Sequence, residues 1–195
     1  MSAVQQEEFQ VRGYMILNVA GYLRDTVGEA EAKRIFDGLS PKSREIVASA
    51  KSATWYPVAV LSELLSSIAG LAKGDEAKAQ ELLVNCGKYM AREATNTFLR
   101  LLMRMLTPAL FAKKLPDFWG RDCTRGKLSV DVNERKLVCR THDMKGFDHA
   151  VCTGAGFATF ALEAMGKTIE SRTIKDWSLS APSADGASFE LVWTA

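Results

Sequence analysis

Two histidines and four cysteines have the widest chemical range in this 195-residue chain: His142, His149, Cys86, Cys123, Cys139 and Cys152. His149 and Cys152 stand three apart in a stretch with helical spacing, which puts both on one helix face. A pair so placed can act as base and nucleophile, or as two ligands of one metal, with His142, Cys123 and Cys139 near enough in sequence to join a zinc set. The spacings do not favour either use. No pair of cysteines has the C-x-x-C separation of a zinc knuckle or redox motif, and a helical cysteine is usually a small buried hydrophobe. The expectation is four reduced thiols, no metal and no catalytic residue, with a cysteine or metal enzyme built on His149 and Cys152 as the minor alternative.

Other motifs of catalysis or phosphate binding fare no better. Gly154-Ala155-Gly156 has the start of a dinucleotide loop, but no strand runs into it and position 159 is Thr where the third glycine belongs. Small residues there serve close packing, against a sheet or against a dimer partner. Asp143 and Asp148 flank a strand-to-helix junction, where capping accounts for them, with Asp148 expected to cap the helix. There is no G-x-S-x-G elbow.

The aromatic residues point elsewhere. Trp55, Tyr56, Phe98, Phe111, Phe118, Trp119, Phe147, Phe157 and Phe160 fall at element ends or on helix faces beside a predicted sheet. Most are core. Trp55, Tyr56, Phe98, Leu102, Trp119, Phe147 and Phe157 are the candidate ligand-binding residues, lining an apolar pocket between helices and sheet, with Met90, Met103 and Met105 supplying adaptable contacts.

The elements that would hold them follow from periodicity. Apolar spacing predicts helices over Arg12–Val27, Glu29–Leu39, Pro41–Ala50 and Pro57–Leu71, then a long one over Glu76–Leu106 with a kink at Gly87. A short helix is expected from Pro116. Leu128, Val130 and Val132 alternate with polar residues as a strand does, and Lys136–Thr141 returns after the Asn133-Glu134-Arg135 turn. A helix over His149–Met165 precedes strands at Thr173–Ser180 and Ser188–Thr194. The predicted class is α/β in the α+β sense: a helical N-terminal half packed on a small four-stranded antiparallel sheet with one crossover helix. Residues 1–10 read as a flexible tail and 11–195 as a single domain.

Composition narrows the function classes. The hydrophobic share of 47% and charged share of 25% are those of a soluble globular protein, and no apolar run nears the ~20 residues of a membrane span. The acidic, polar start lacks a basic-then-apolar leader, so a cytoplasmic location is expected. Lys113, Lys114, Arg121, Arg125 and Lys127 are interleaved with Asp117 and Asp122, giving a mixed surface and not a nucleic-acid face.

Trp55-Tyr56-Pro57, Gly74-Asp75, Gly87-Lys88, Thr107-Pro108, Phe118-Trp119, Gly126-Lys127-Leu128-Ser129-Val130, Leu162–Gly166 and Phe189–Trp193 together carry a likeness. From about Val11 onward the chain resembles a family of small proteins abundant in myxobacteria. That family is similar to a superfamily of 4-vinyl reductase domains, haem-nitric-oxide-binding sensors and the transport-particle subunits of Golgi trafficking. The resemblance implies helices on an antiparallel sheet, an apolar cavity and frequent dimerisation. Its members sense aromatic or porphyrin-like molecules, hold lipid-like chains or act as scaffolds. The metal-binding branch carries two cysteines in its last hairpin, whereas Leu179–Ser188 has none; the Tyr-x-Ser-x-Arg motif of the haem branch is also missing. No zinc, haem or other cofactor is therefore expected.

The resulting expectation is a non-enzymatic cytoplasmic sensor or signalling module that binds a small hydrophobic ligand in a cavity of at least ~300 Å³. The alternative is a protein-interaction scaffold without an open pocket, forming a homodimer or meeting another protein, for which the Gly154–Ala158 helix face is the candidate surface.

Overall fold

The structure is a computed structural model that describes residues 8–95, 103 and 105–194. Its first strand, β1 (Gln10–Arg12), pairs antiparallel with β2 (Trp55–Pro57), Val11 opposite Tyr56. Phe9 is buried, and its carbonyl accepts from the Val58 N–H at 2.9 Å. Phe9 and Gln10, expected in the tail, are thus fixed to the fold.

Between these strands lie α1 (Gly13–Val27), α2 (Glu29–Asp37) and α3 (Pro41–Ser49). Met15, Ile16, Val19, Tyr22 and Leu23 of α1 are buried, the stripe that the 3.6-residue period requires. α3 starts as its sequence prescribes: Ser40 Oγ accepts from the Ser43 N–H and Pro41 occupies the first turn. α4 (Val58–Gly70) and α5 (Glu76–Ala94) follow, the latter capped by Asp75, whose carboxylate accepts from the Lys78 N–H at 3.0 Å.

α5 ends at Ala94, with Thr95 already extended, and so stops short of the Leu106 expected from its apolar spacing. The part of that expected helix over 96–102 and 104 lies outside the described residues. A further helix, α6 (Pro108–Asp122), begins at the Thr107-Pro108 cap, where Thr107 Oγ1 accepts from the Leu110 N–H at 3.2 Å. It runs through Pro116, which sequence reading took for its start. Among the described residues, no helix is long and apolar enough to cross a membrane.

The four-stranded sheet comprises β3 (Lys127–Val132), β4 (Lys136–His142), β5 (Thr168–Lys175) and β6 (Ser188–Thr194), antiparallel throughout in the order β3-β4-β6-β5. β5 begins five residues earlier than its pattern suggests, two residues after Gly166. Leu137 and Cys139 of β4 join Phe189, Leu191 and Trp193 of β6 on the buried face.

α7 (Ala150–Ala164) crosses that face, and α5 of the N-terminal half covers α7 in turn. A helix in the middle layer must be narrow. Val151, Cys152, Ala155, Ala158, Ala161 and Leu162 are all 0% exposed. A Cβ at Gly156 would fall 2.0 Å from the Val84 carbonyl oxygen, and one at Gly87 would fall 2.0 Å from that of Thr153. Gly87 is therefore the seat of a backbone-to-backbone approach between α5 and α7, in place of the expected kink. The same contact takes up the Gly154–Ala158 face inside the chain, which removes it as the dimer surface. Asp148 does not cap α7: His149 holds that position, with no side-chain cap bond.

Candidate functional site

A cavity of about 100 Å³ opens between α1, α5, α6, α7 and the inner face of the sheet. Its floor is Phe147, Ala150, Cys139 and Phe189, all essentially buried. Trp119 closes one side and stacks on Phe147, ring centres 5.8 Å apart and planes 27° from parallel. The Trp119 indole N–H donates to the Arg125 carbonyl at 2.9 Å, which fixes the ring. Gly126 permits this arrangement: its φ is +83°, and a Cβ there would lie 2.6 Å from Met144 Sδ. Met15, Met90, Leu115, Phe118, Leu128 and Phe157 complete the apolar wall.

One polar pair stands on that wall. The hydroxyl of Tyr14, in the first turn of α1, donates to Asp122 Oδ2, in the last turn of α6, at 2.8 Å. Two contacts bring the helix ends together: Val11 forms an isolated bridge with Cys123, and the Thr124 N–H donates to the Gln10 carbonyl at 3.0 Å. Burial and the neighbouring carboxylate both push the Tyr14 phenol upward. Asp122 also accepts from its neighbour Arg121, Nε at 3.0 Å and Nη2 at 2.8 Å.

The expected site residues divide into three groups. Trp119, Phe147 and Phe157 come together at the cavity. Trp55 and Tyr56 do not: they form the β2 side of the small ladder, where Arg12 lies 3.9 Å over the Trp55 ring and the Tyr56 hydroxyl accepts from the Lys51 N–H at 3.0 Å. Phe98 and Leu102 lie outside the described residues. Of the methionines, Met90 lines the wall whereas Met105 is 81% exposed. Sequence reading missed Tyr14, Asp122, Cys123, Cys139, Thr141 and Thr153, which distant parts of the chain bring to one surface.

The cysteines and His149 are not poised as the base and nucleophile considered from the sequence. Burial raises the thiols of Cys86, Cys123 and Cys152, and raises Cys139 to about 12, so all four stay protonated at neutral pH. His149 sits away from the cavity, 1% exposed, with Nε2 3.1 Å from Ser66 Oγ and its ring edge-on to Trp177 at 6.0 Å. Desolvation lowers its pKa to about 4, so it is a neutral core residue and a poor base for Cys152. Among the described residues, no three His, Cys, Asp or Glu side chains are grouped to hold a metal.

Comparison with protein-family models gives no match, and comparison with the curated proteins gives none. Solved structures do match. An H-NOX protein (haem-nitric-oxide-binding) from K. algicida, a variant in the unliganded Fe(II) form, aligns with a TM-score of 0.69 at 11% identity over 94% of this chain and 97% of that one. The fold is H-NOX-like. The H-NOX domain from Shewanella oneidensis in the Fe(II)CO state aligns with a TM-score of 0.62 at 11% identity, and a variant of the T. tengcongensis H-NOX protein with 0.56 at 11%; each covers 94% of this chain and 98% of the other. At such identity the likeness speaks for the fold alone.

The H-NOX-like fold raises the question of haem, and the residues do not fit it. A porphyrin exceeds the drug-sized ligands that need ~300–1,000 Å³, several times this cavity. An axial ligand would be a histidine, thiolate or tyrosinate, and a methionine such as Met15 or Met90 of the wall serves only opposite a histidine. Neither histidine of the chain is at the wall, and the wall's thiols and phenol are held protonated. The volume also falls below the ~300 Å³ expected for the hydrophobic ligand, which bounds any occupant to a few heavy atoms.

Proposed function

We propose that this chain is a non-enzymatic sensor module whose cavity holds a small apolar molecule. The observation that carries the reading is the lining: an aromatic and aliphatic shell of about 100 Å³, floored by buried Phe147 and Phe189, inside an H-NOX-like fold. A comparable engineered apolar cavity of ~150 Å³ stays dry and takes up benzene or xenon. Binding here would be driven by burial of apolar surface, at roughly 25 cal/mol per Å². The solved neighbours are named for haem and nitric oxide; the lining of this chain's cavity supports a smaller, apolar occupant. The sequence likeness to 4-vinyl reductase domains and the myxobacterial family agrees with such a ligand-binding role.

Xenon is the probe of choice. Titration of ¹⁵N-labelled protein under xenon pressure should shift amide signals of Cys139, Phe147, Thr153 and Phe189 together and saturate. Signals that stay in place across the titration would remove the reading. Hemin added in equal amount should keep its unbound spectrum; a Soret band characteristic of a bound haem would overturn the size argument.

A further inference from the structure

Among the described residues, every hydroxyl or indole hydrogen on the cavity wall is already donated within the protein. Tyr14 gives its proton to Asp122, Thr141 donates to the Ala187 carbonyl at 2.8 Å, Thr153 donates to the Ala150 carbonyl at 3.2 Å, and Trp119 donates to Arg125. The polar face that remains to an incoming molecule is therefore one of acceptors, apart from weakly donating thiols. Asp122 dominates it. Its side chain is 14% exposed, and its Oδ1 accepts from Arg121 Nε with one lone pair to spare, which leaves acceptor capacity. The Arg121 guanidinium already balances its charge, so an added cation would meet no unpaired anion.

We infer that the Tyr14–Asp122 pair anchors the ligand, and that the cavity selects a small, mostly apolar molecule carrying one neutral hydrogen-bond donor. This rests on the cavity's being a ligand site. A donor reaching Asp122 satisfies a partly buried carboxylate; an acceptor of the same shape meets only lone pairs and loses its own hydration. The discrimination is the kind that polar sites exert and apolar ones do not.

Pyrrole and furan test it, since they are five-membered rings of near-equal size and only pyrrole carries an N–H. In ¹⁵N-detected titrations, pyrrole should bind about tenfold tighter than furan, the scale of one hydrogen bond to a charged group. Asp122→Leu, which removes the acceptor, should bring the ratio of the two affinities close to one, while Tyr14→Phe, which keeps the carboxylate, should preserve the preference. Equal binding of the two rings to the unaltered protein overturns the inference and leaves the cavity reading standing. A preference that survives in Asp122→Leu overturns it as well. Failure of xenon and both rings to bind is the distinct result that removes the cavity reading itself. Should Asp122→Leu not fold, the pyrrole-to-furan ratio of the unaltered protein decides alone.

Discussion

At the residue scale, His149 shows how burial takes a reactive group out of use. Sequence spacing placed it beside Cys152 as a base; the fold places it in the core beside Trp177, with no hydrogen-bond partner for Nδ1 among the described residues. Its pKa falls from 6.5 to about 4. Folding therefore keeps the neutral form, while the unfolded chain takes up a proton below pH 6.5. Stability is full above that pH and is lost as pH falls toward 4, by about 3 kcal/mol for this group. Urea melts at pH 7 and pH 4 should show that His149→Gln loses less stability on acidification than the parent protein by that amount. An NMR titration of His149 in the folded parent gives an independent reading, with a midpoint near 4 expected and one above 6 excluding the argument. The candidate site was legible at this scale only where one side chain sufficed. Trp119, Phe147 and Phe157 are large aromatics at element ends or on a helix face, and the fold brings them to one cavity. Tyr14 and Asp122 are 108 positions apart, and no local pattern joins them.

At the element scale, α7 survives between two layers because its side chains are small. Gly156→Ala places a methyl group 2.0 Å from a backbone carbonyl oxygen of α5, so the two helices must move apart. The cost should be at least the ~1–3 kcal/mol of overpacking. Gly120→Ala is the control: it lies in α6 with nothing within 4 Å of an added Cβ, and should stabilise by about 0.5–1 kcal/mol through helix propensity. Thermal melts that rank the two variants the other way would show that α5 and α7 do not meet as described. Element boundaries were readable where caps were, as at Ser40, Asp75 and Gly28. β5 was misplaced for a physical reason: a register shift between Ile169 and Ser171 breaks the alternation of two by which a strand is recognised. Pro116 misled because proline suits the first turn of a helix, and here it lies within one.

At the scale of the whole molecule, the helical half, the four strands and the single crossover helix were all visible in the order of periodicities, since those depend on local sequence. Strand order was not, because the pairing of β6 between β4 and β5 is decided by contacts remote in the chain. Trp193, 1% exposed, shows how much of the core that strand supplies. Removing residues 188–195 should abolish the cooperative thermal transition, where removing an edge strand would weaken it; a sharp melt in the shortened chain would count against this account. The position of β6 also has a meaning in time. During synthesis it is the last of the strands to leave the ribosome, so β4 and β5 must wait with open edges on either side of an empty slot. Until that slot is filled, the nascent chain has a helical half able to collapse and two strands able to pair with a neighbour's, and its passage through this stage depends on how quickly the final strand arrives.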